Sequence, residues 1–168
     1  MPPISIERLY ISPGHNFFGR HGLSAGINPL QEVGEIECIA GHGVRGDRFF
    51  DYKEDYKGQI TFFSGEVFED VCHALGIHGK APGSTRRNVI TRGVHLNDLI
   101  GKSFSVQGID FEGVVECKPC FRMDLAIGAG AEAALQGRGG LRARILTSGF
   151  LRIDLEASLP VTLSATSF

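Results

Sequence analysis

Short β-like runs, each broken after a few residues by Gly, Pro, Asn or Ser, constrain this chain more than any other feature. They are "SIERLYIS" (5–12), "GEIECIAG" (34–41), "GQITFFS" (58–64), "RNVIT" (87–91), "KSFSVQG" (102–108), "IDFEGVVEC" (109–117), "LRARILTSG" (141–149) and "LPVTLSA" (159–165). Their length and near-alternation of apolar and polar positions fit half-buried strands. Gly108 falls between two such runs and predicts a tight hairpin. Only "SGEVFEDVCHALGI" carries a helical period throughout. There Ser64 suits the N-cap, Glu66 puts an acid in the first turn and Gly76 suits the residue after the helix. Phe68, Cys72 and Leu75 recur at i, i+4 and i+7 beside Val71, so this helix should be scaffold, with Cys72 buried and inert. A second, shorter helix is expected near 129–136, where "AEAALQG" has good helix propensity. Many strands and few helices predict a mainly β domain over residues 1–168. A closed or nearly closed barrel would remove its exposed strand edges.

Length and charge narrow the classes. A chain of 168 residues can bury a core without disulfides or a structural metal. Its 17 Lys and Arg against 19 Asp and Glu leave a formal charge of −2, which predicts no nucleic-acid partner and no membrane surface. No run approaches the ~18 apolar residues of a membrane span. The opening "MPPISIERLYISPG" lacks a basic stretch followed by an apolar core, so a cytoplasmic protein is expected, its four cysteines reduced.

The chemistry concentrates in three stretches. In "VVECKPCF", Cys117 and Cys120 end a strand-like run. A structural zinc site needs four ligands, and Cys38 and Cys72 are isolated, with only His73 and His78 at ligand-like spacing. The string Cys-Lys-Pro-Cys also resembles the redox motif of thioredoxin-like proteins. That chemistry wants its first thiol at a helix N-terminus, and "FRMDLAIGAG" is a poor helix start. In "GHGVRGDRFFD", Gly41, Gly43 and Gly46 allow close backbone approach, and Arg45 and Arg48 supply forked donors for an anion. In "STRRNVITRGVHLNDLIGKSF", Arg86, Arg87 and Arg92 surround a short strand with Asn88 among them. They form either a solvated basic edge or an oxyanion pocket beside the thiols.

Taken in order, "GVRGDRF", "GQITFFS" with its helix, Arg86-x-Asn88, "GVHLNDLIGKSFSVQG", the thiol pair ending at Cys120, and "GGLRARIL" resemble the MOSC family over roughly residues 40–147. The family takes its name from the C-terminal domain of molybdenum cofactor sulfurase. The resemblance implies a β-barrel-like domain that binds the molybdenum cofactor (molybdopterin), a group the purified protein can lack. Cys120 would be the metal ligand and catalytic thiolate, and Arg48, Arg86 and Asn88 would lie around the pterin and its phosphate. The glycine loop at Gly46 would offer backbone amides, and Lys118 a charge beside the thiolate. An oxidoreductase reducing N-hydroxylated or related N–O or S–O compounds is the implied activity on a small-molecule substrate. Electrons would come from a separate donor protein, since no flavin, haem or iron–sulfur motif is present. The alternatives are a sulfur or cofactor carrier with a Cys120 persulfide, or a thiol–disulfide protein. Two stretches depart from the family pattern: "ISPGHNFFGRHG", and "SGFLRIDLEASL", which lacks an expected Gly-Asp turn.

Overall fold

The computed structural model describes residues 3–15 and 28–154. Ten strands follow one another as β1 (Ser5–Ile11), β2 (Gln31–Val33), β3 (Glu35–Ile39), β4 (Gly43–Val44), β5 (Ile60–Ser64), β6 (Val89–Arg92), β7 (Ser103–Val106), β8 (Ile109–Glu116), β9 (Leu141–Ile145) and β10 (Gly149–Arg152). Helix α1 (Gly65–Leu75) links β5 to β6, and the short helices α2 (Arg122–Ala126) and α3 (Ala131–Ala134) lie between β8 and β9. Seven strands form one sheet in the order β2-β1-β6-β5-β9-β8-β7, and β10-β3-β4 form a second. The large sheet is mixed: β5 and β6 run parallel and its other pairs antiparallel.

Alternation along the strands decides what each face of the large sheet meets. In β5, Phe62 points into a cluster with Leu9, Phe104, Phe111 and Leu141, which the small sheet completes with Ile36, Cys38, Val44 and Leu151. Its neighbour Phe63 joins Phe68 and Val71 of α1, Met123 of α2, and Ala131 and Leu135 in the opposite cluster. A strand buried on both faces reads as a continuous apolar run, as "ITFFS" does.

Several local expectations hold. Ser64 caps α1, its Oγ accepting from Val67 N at 3.2 Å, and left-handed Gly76 (φ 64°) donates to Cys72 O and His73 O. Gln107 (φ 50°) and Gly108 (φ 81°) make the two-residue turn between antiparallel β7 and β8, as a hairpin with positive φ at both central positions requires.

Others need correction. No closed barrel is found among the described residues, because β3, β4 and β10 pair with one another and cover a face of the large sheet without joining its edges. Residues 149–152, where the family turn was missed, form β10 against β3. A short helix does follow Cys120, since "RMDLA" turns Met123, and Ile127 just after it, onto the core. Cys72 is only half-buried at the edge of the helical cluster, and partial desolvation pushes its thiol pKa up. The strand expected at 159–165 lies outside the described residues.

Candidate functional site

The thiol turn is positioned by a close backbone approach. Beyond β8, Cys117 N still donates to Gly140 O at 2.8 Å, and Met123 N donates to Cys120 O at 2.9 Å where α2 begins. A Cβ on Gly139 would lie 2.1 Å from Cys117 O and 2.9 Å from Pro119 Cδ, so no other residue fits between the turn and β9 without moving one of them. Arg87 fixes the same glycine from the far side, donating through Nε and Nη2 to Gly139 O at 3.3 and 3.2 Å. Gly139→Ala is therefore expected to shift the thiol turn and lower the rate of Cys120 alkylation or ligand binding. Labelling kinetics that match the unaltered protein would show that the contact does not position Cys120.

The two cysteines diverge sharply in access. Cys117 is 3% exposed and part of the interior, whereas Cys120 is exposed. A thioredoxin-like mechanism uses the first thiol as the reachable nucleophile, and here that thiol is the hidden one. Among the described residues no three His, Cys, Asp or Glu side chains gather to hold a metal ion, so the zinc alternative finds no support.

Cys120 opens onto a cleft of about 160 Å³ whose lining contains Arg48, Arg86, Arg87, Lys118, Arg122 and Arg142 and, among the described residues, no carboxylate. Three of these arginines are built into the wall. Arg48, its side chain 9% exposed, reaches buried Asp47 Oδ1 at 3.1 Å and donates to Arg86 O at 2.9 Å. Asp47 is itself held by Ser12 N and Phe49 N. Arg86 sits in the left-handed region (φ 59°), which turns its side chain to Ser12 Oγ (2.8 Å), Gly14 O (3.1 Å) and Asn28 O (3.3 Å). Burial, with Arg48 alongside, brings its pKa down to about 10. Burial is also the main cause of the lowered pKa of Arg48, with Arg87 adding to it. A dry wall of neighbouring guanidinium groups disfavours its own charge and favours an incoming anion. The aromatic rings of Phe49 and Tyr56 stack at 5.5 Å beside it.

The sequence-predicted residues thus divide. Cys120, Lys118, Arg48 and Arg86 share the cleft. Asn88 does not line it. At 2% exposure its Oδ1 accepts from Thr61 N and Oγ1, and its Nδ2 donates to Tyr10 O, tying β5 to β1 from behind the wall. Gly46 is exposed on a turn outside the cleft. Arg92 pairs with Glu7 and Glu69, and Arg45 with Glu37, so neither contributes to the pocket. Arg142, Arg122, Phe49 and Tyr56 were missed. Arg142, Phe49 and Tyr56 look like ordinary strand or loop residues until distant segments are brought together, and Arg122 opens the helix that follows Cys120.

Fold and cleft define a mainly β protein that presents one reachable thiol over an anion-attracting pocket. The chain belongs to the MOSC domain family, whose model matches residues 45–157. Solved structures share the fold. They include the YuaD protein from Bacillus subtilis (TM-score 0.68, 16% identity, covering 89% of this chain and 91% of that one). YiiM from Geobacillus stearothermophilus (0.64, 16%, 89% and 71%) and YiiM from Escherichia coli (0.58, 15%, 88% and 66%) are also similar. No curated protein matches the sequence. Among the described residues no helix is long and apolar enough to cross a membrane.

Proposed function

We propose that the cleft binds the molybdenum cofactor with the Cys120 thiolate on the metal, and that the protein reduces N-hydroxylated or related N–O or S–O compounds. One observation carries this: the exposed thiol opens into a pocket lined by cationic side chains with no carboxylate among the described residues. The donor set fits the group. A single soft sulfur suits molybdenum, arginine forks and Lys118 suit a phosphate, and the Phe49–Tyr56 pair offers flat apolar surface to a pterin. When bound, the metal supplies oxygen-atom and two-electron chemistry that no side chain provides.

The chain's own residues have distinct tasks. Cys120 would hold the metal from its exposed position, within reach of a small substrate and a separate electron-donor protein. Arg48, Arg86 and Arg87 form a rigid cationic wall, since two or three donors of each bind Asp47, Ser12 Oγ or backbone oxygens. Phe49 and Tyr56 exclude water from one side of the cleft.

The test is molybdenum and pterin analysis of protein freshly isolated from a host that makes the cofactor, combined with reduction of an N-hydroxylated amidine by a chemical electron donor. Near-stoichiometric metal with turnover supports the reductase. Labile sulfane sulfur on Cys120 without molybdenum would replace it with the carrier function, for which an exposed thiol also suffices.

A further inference from the structure

Arg142 lies on β9 directly opposite Thr61 of β5 and Val115 of β8, and its side chain lines the cleft. Two residues along the same strand, Arg144 meets Asp55 at 3.0 Å and Glu112 at 3.6 Å. The Arg142 side chain has neither a hydrogen bond nor an ion pair with any described residue. Equal residue types at equal strand phase therefore have opposite fates, one neutralised at the rim and one left as a bare charge over the pocket.

That difference matters because Arg48, Arg86 and Arg87 already direct two or three donors each at acceptors of the protein. Arg48 serves Asp47 and Arg86 O, Arg86 serves Ser12, Gly14 and Asn28, and Arg87 serves Gly139 and Thr85. They contribute field to an entering anion and few hydrogen bonds. Arg142 keeps its fork unused, and exposed Lys118 also has no partner among the described residues. A half-buried guanidinium facing cationic neighbours is unfavourable until an anion with several acceptor oxygens joins it, and a phosphate dianion matches both the fork and the second charge.

We infer that Arg142 is the hydrogen-bonding anchor for a phosphate monoester group of the cleft's ligand, with Lys118 as its second charge. This rests on the proposed use of the cleft, and the phosphate can come from the pterin or from a phosphorylated substrate. Charge-assisted hydrogen bonds are worth enough that Arg142→Gln should weaken phosphate binding by about tenfold or more. Arg142→Lys should fall between, because an ammonium restores the charge without the fork.

The experiment compares the unaltered protein with Arg142→Gln, Arg142→Lys and the control Arg144→Gln, each checked for fold by circular dichroism. Two quantities are read: pterin content after expression in a cofactor-making host, and calorimetric affinity of the cofactor-free chain for inorganic phosphate. The expected result is weakened phosphate binding in the Arg142 variants alone. A parallel fall in pterin content assigns the phosphate to the cofactor, and retained pterin assigns it to a substrate. Phosphate binding through Arg142 in a protein that never carries pterin overturns the cofactor proposal and leaves the anchor standing. Phosphate affinity and pterin content both unchanged in Arg142→Gln overturn the anchor and leave the cofactor proposal standing. Binding of neither ligand by the unaltered protein overturns both.

Discussion

Cys120→Ser is expected to abolish bound molybdenum and reductase turnover while leaving the fold intact. Serine is nearly isosteric, and the position is exposed, so little packing is lost. Its hydroxyl stays protonated and is a hard, weak ligand where the proposed metal centre calls for a soft thiolate. Pterin can still be held by the cationic wall, so pterin content should fall less than molybdenum content. Cys117→Ser should have the opposite profile. It places a hydroxyl at a 3% exposed site, which costs roughly 1–3 kcal/mol if no partner is found, and leaves the proposed metal ligand untouched. Paired serine variants, assayed for thermal midpoint, molybdenum and turnover, check both halves. An equal loss of molybdenum in the two, or a larger one in Cys117→Ser, would falsify Cys120 as the ligand.

Asn88→Ala should cost stability more than binding. Its amide accepts from Thr61 N at 3.0 Å and donates to Tyr10 O at 3.2 Å, and both partners are buried backbone groups. Leaving the two backbone groups, the Thr61 N donor and the Tyr10 O acceptor, unsatisfied costs roughly 2–4 kcal/mol, a drop of roughly 4–16 °C in thermal midpoint for a domain of this size. Asn88→Asp keeps the acceptor, loses the donor and buries a carboxyl group, so it should not rescue the loss. If instead the midpoint holds and cofactor content collapses, Asn88 is a ligand after all, and the structural role assigned to it is wrong.

Much of this protein was legible without coordinates wherever the cause is local. The Ser64 cap, the α1 stripe of Phe68 and Val71 and the Gly76 stop depend on residues within a few positions of one another. The Gln107-Gly108 turn needs only two adjacent residues that accept positive φ. Membership of the MOSC family was visible for a related reason, since a succession of short motifs survives in the chain whatever their spatial arrangement.

The site was decided by partners remote in sequence. Cys117 and Cys120 are three residues apart, yet the first is buried against the Gly139–Gly140 strand entry and the second is left at the surface. Arg86 and Arg92 look alike around one strand. Arg86 is drawn to Ser12, Gly14 and Asn28, while Arg92 is neutralised by Glu7 and Glu69. The same holds for Asn88, whose partners Tyr10 and Thr61 come from two other strands, and for Arg142 against Arg144. Even the open sheet follows from pairing choices of β3, β4 and β10 that no run of residues announces. By itself the sequence determined the elements, their caps and the family, because these arise from short-range sterics and hydrogen bonds. Which polar side chain becomes a strut, a surface ion pair or a wall of the cleft was settled only by the tertiary structure, because burial and charge partners depend on long-range strand register.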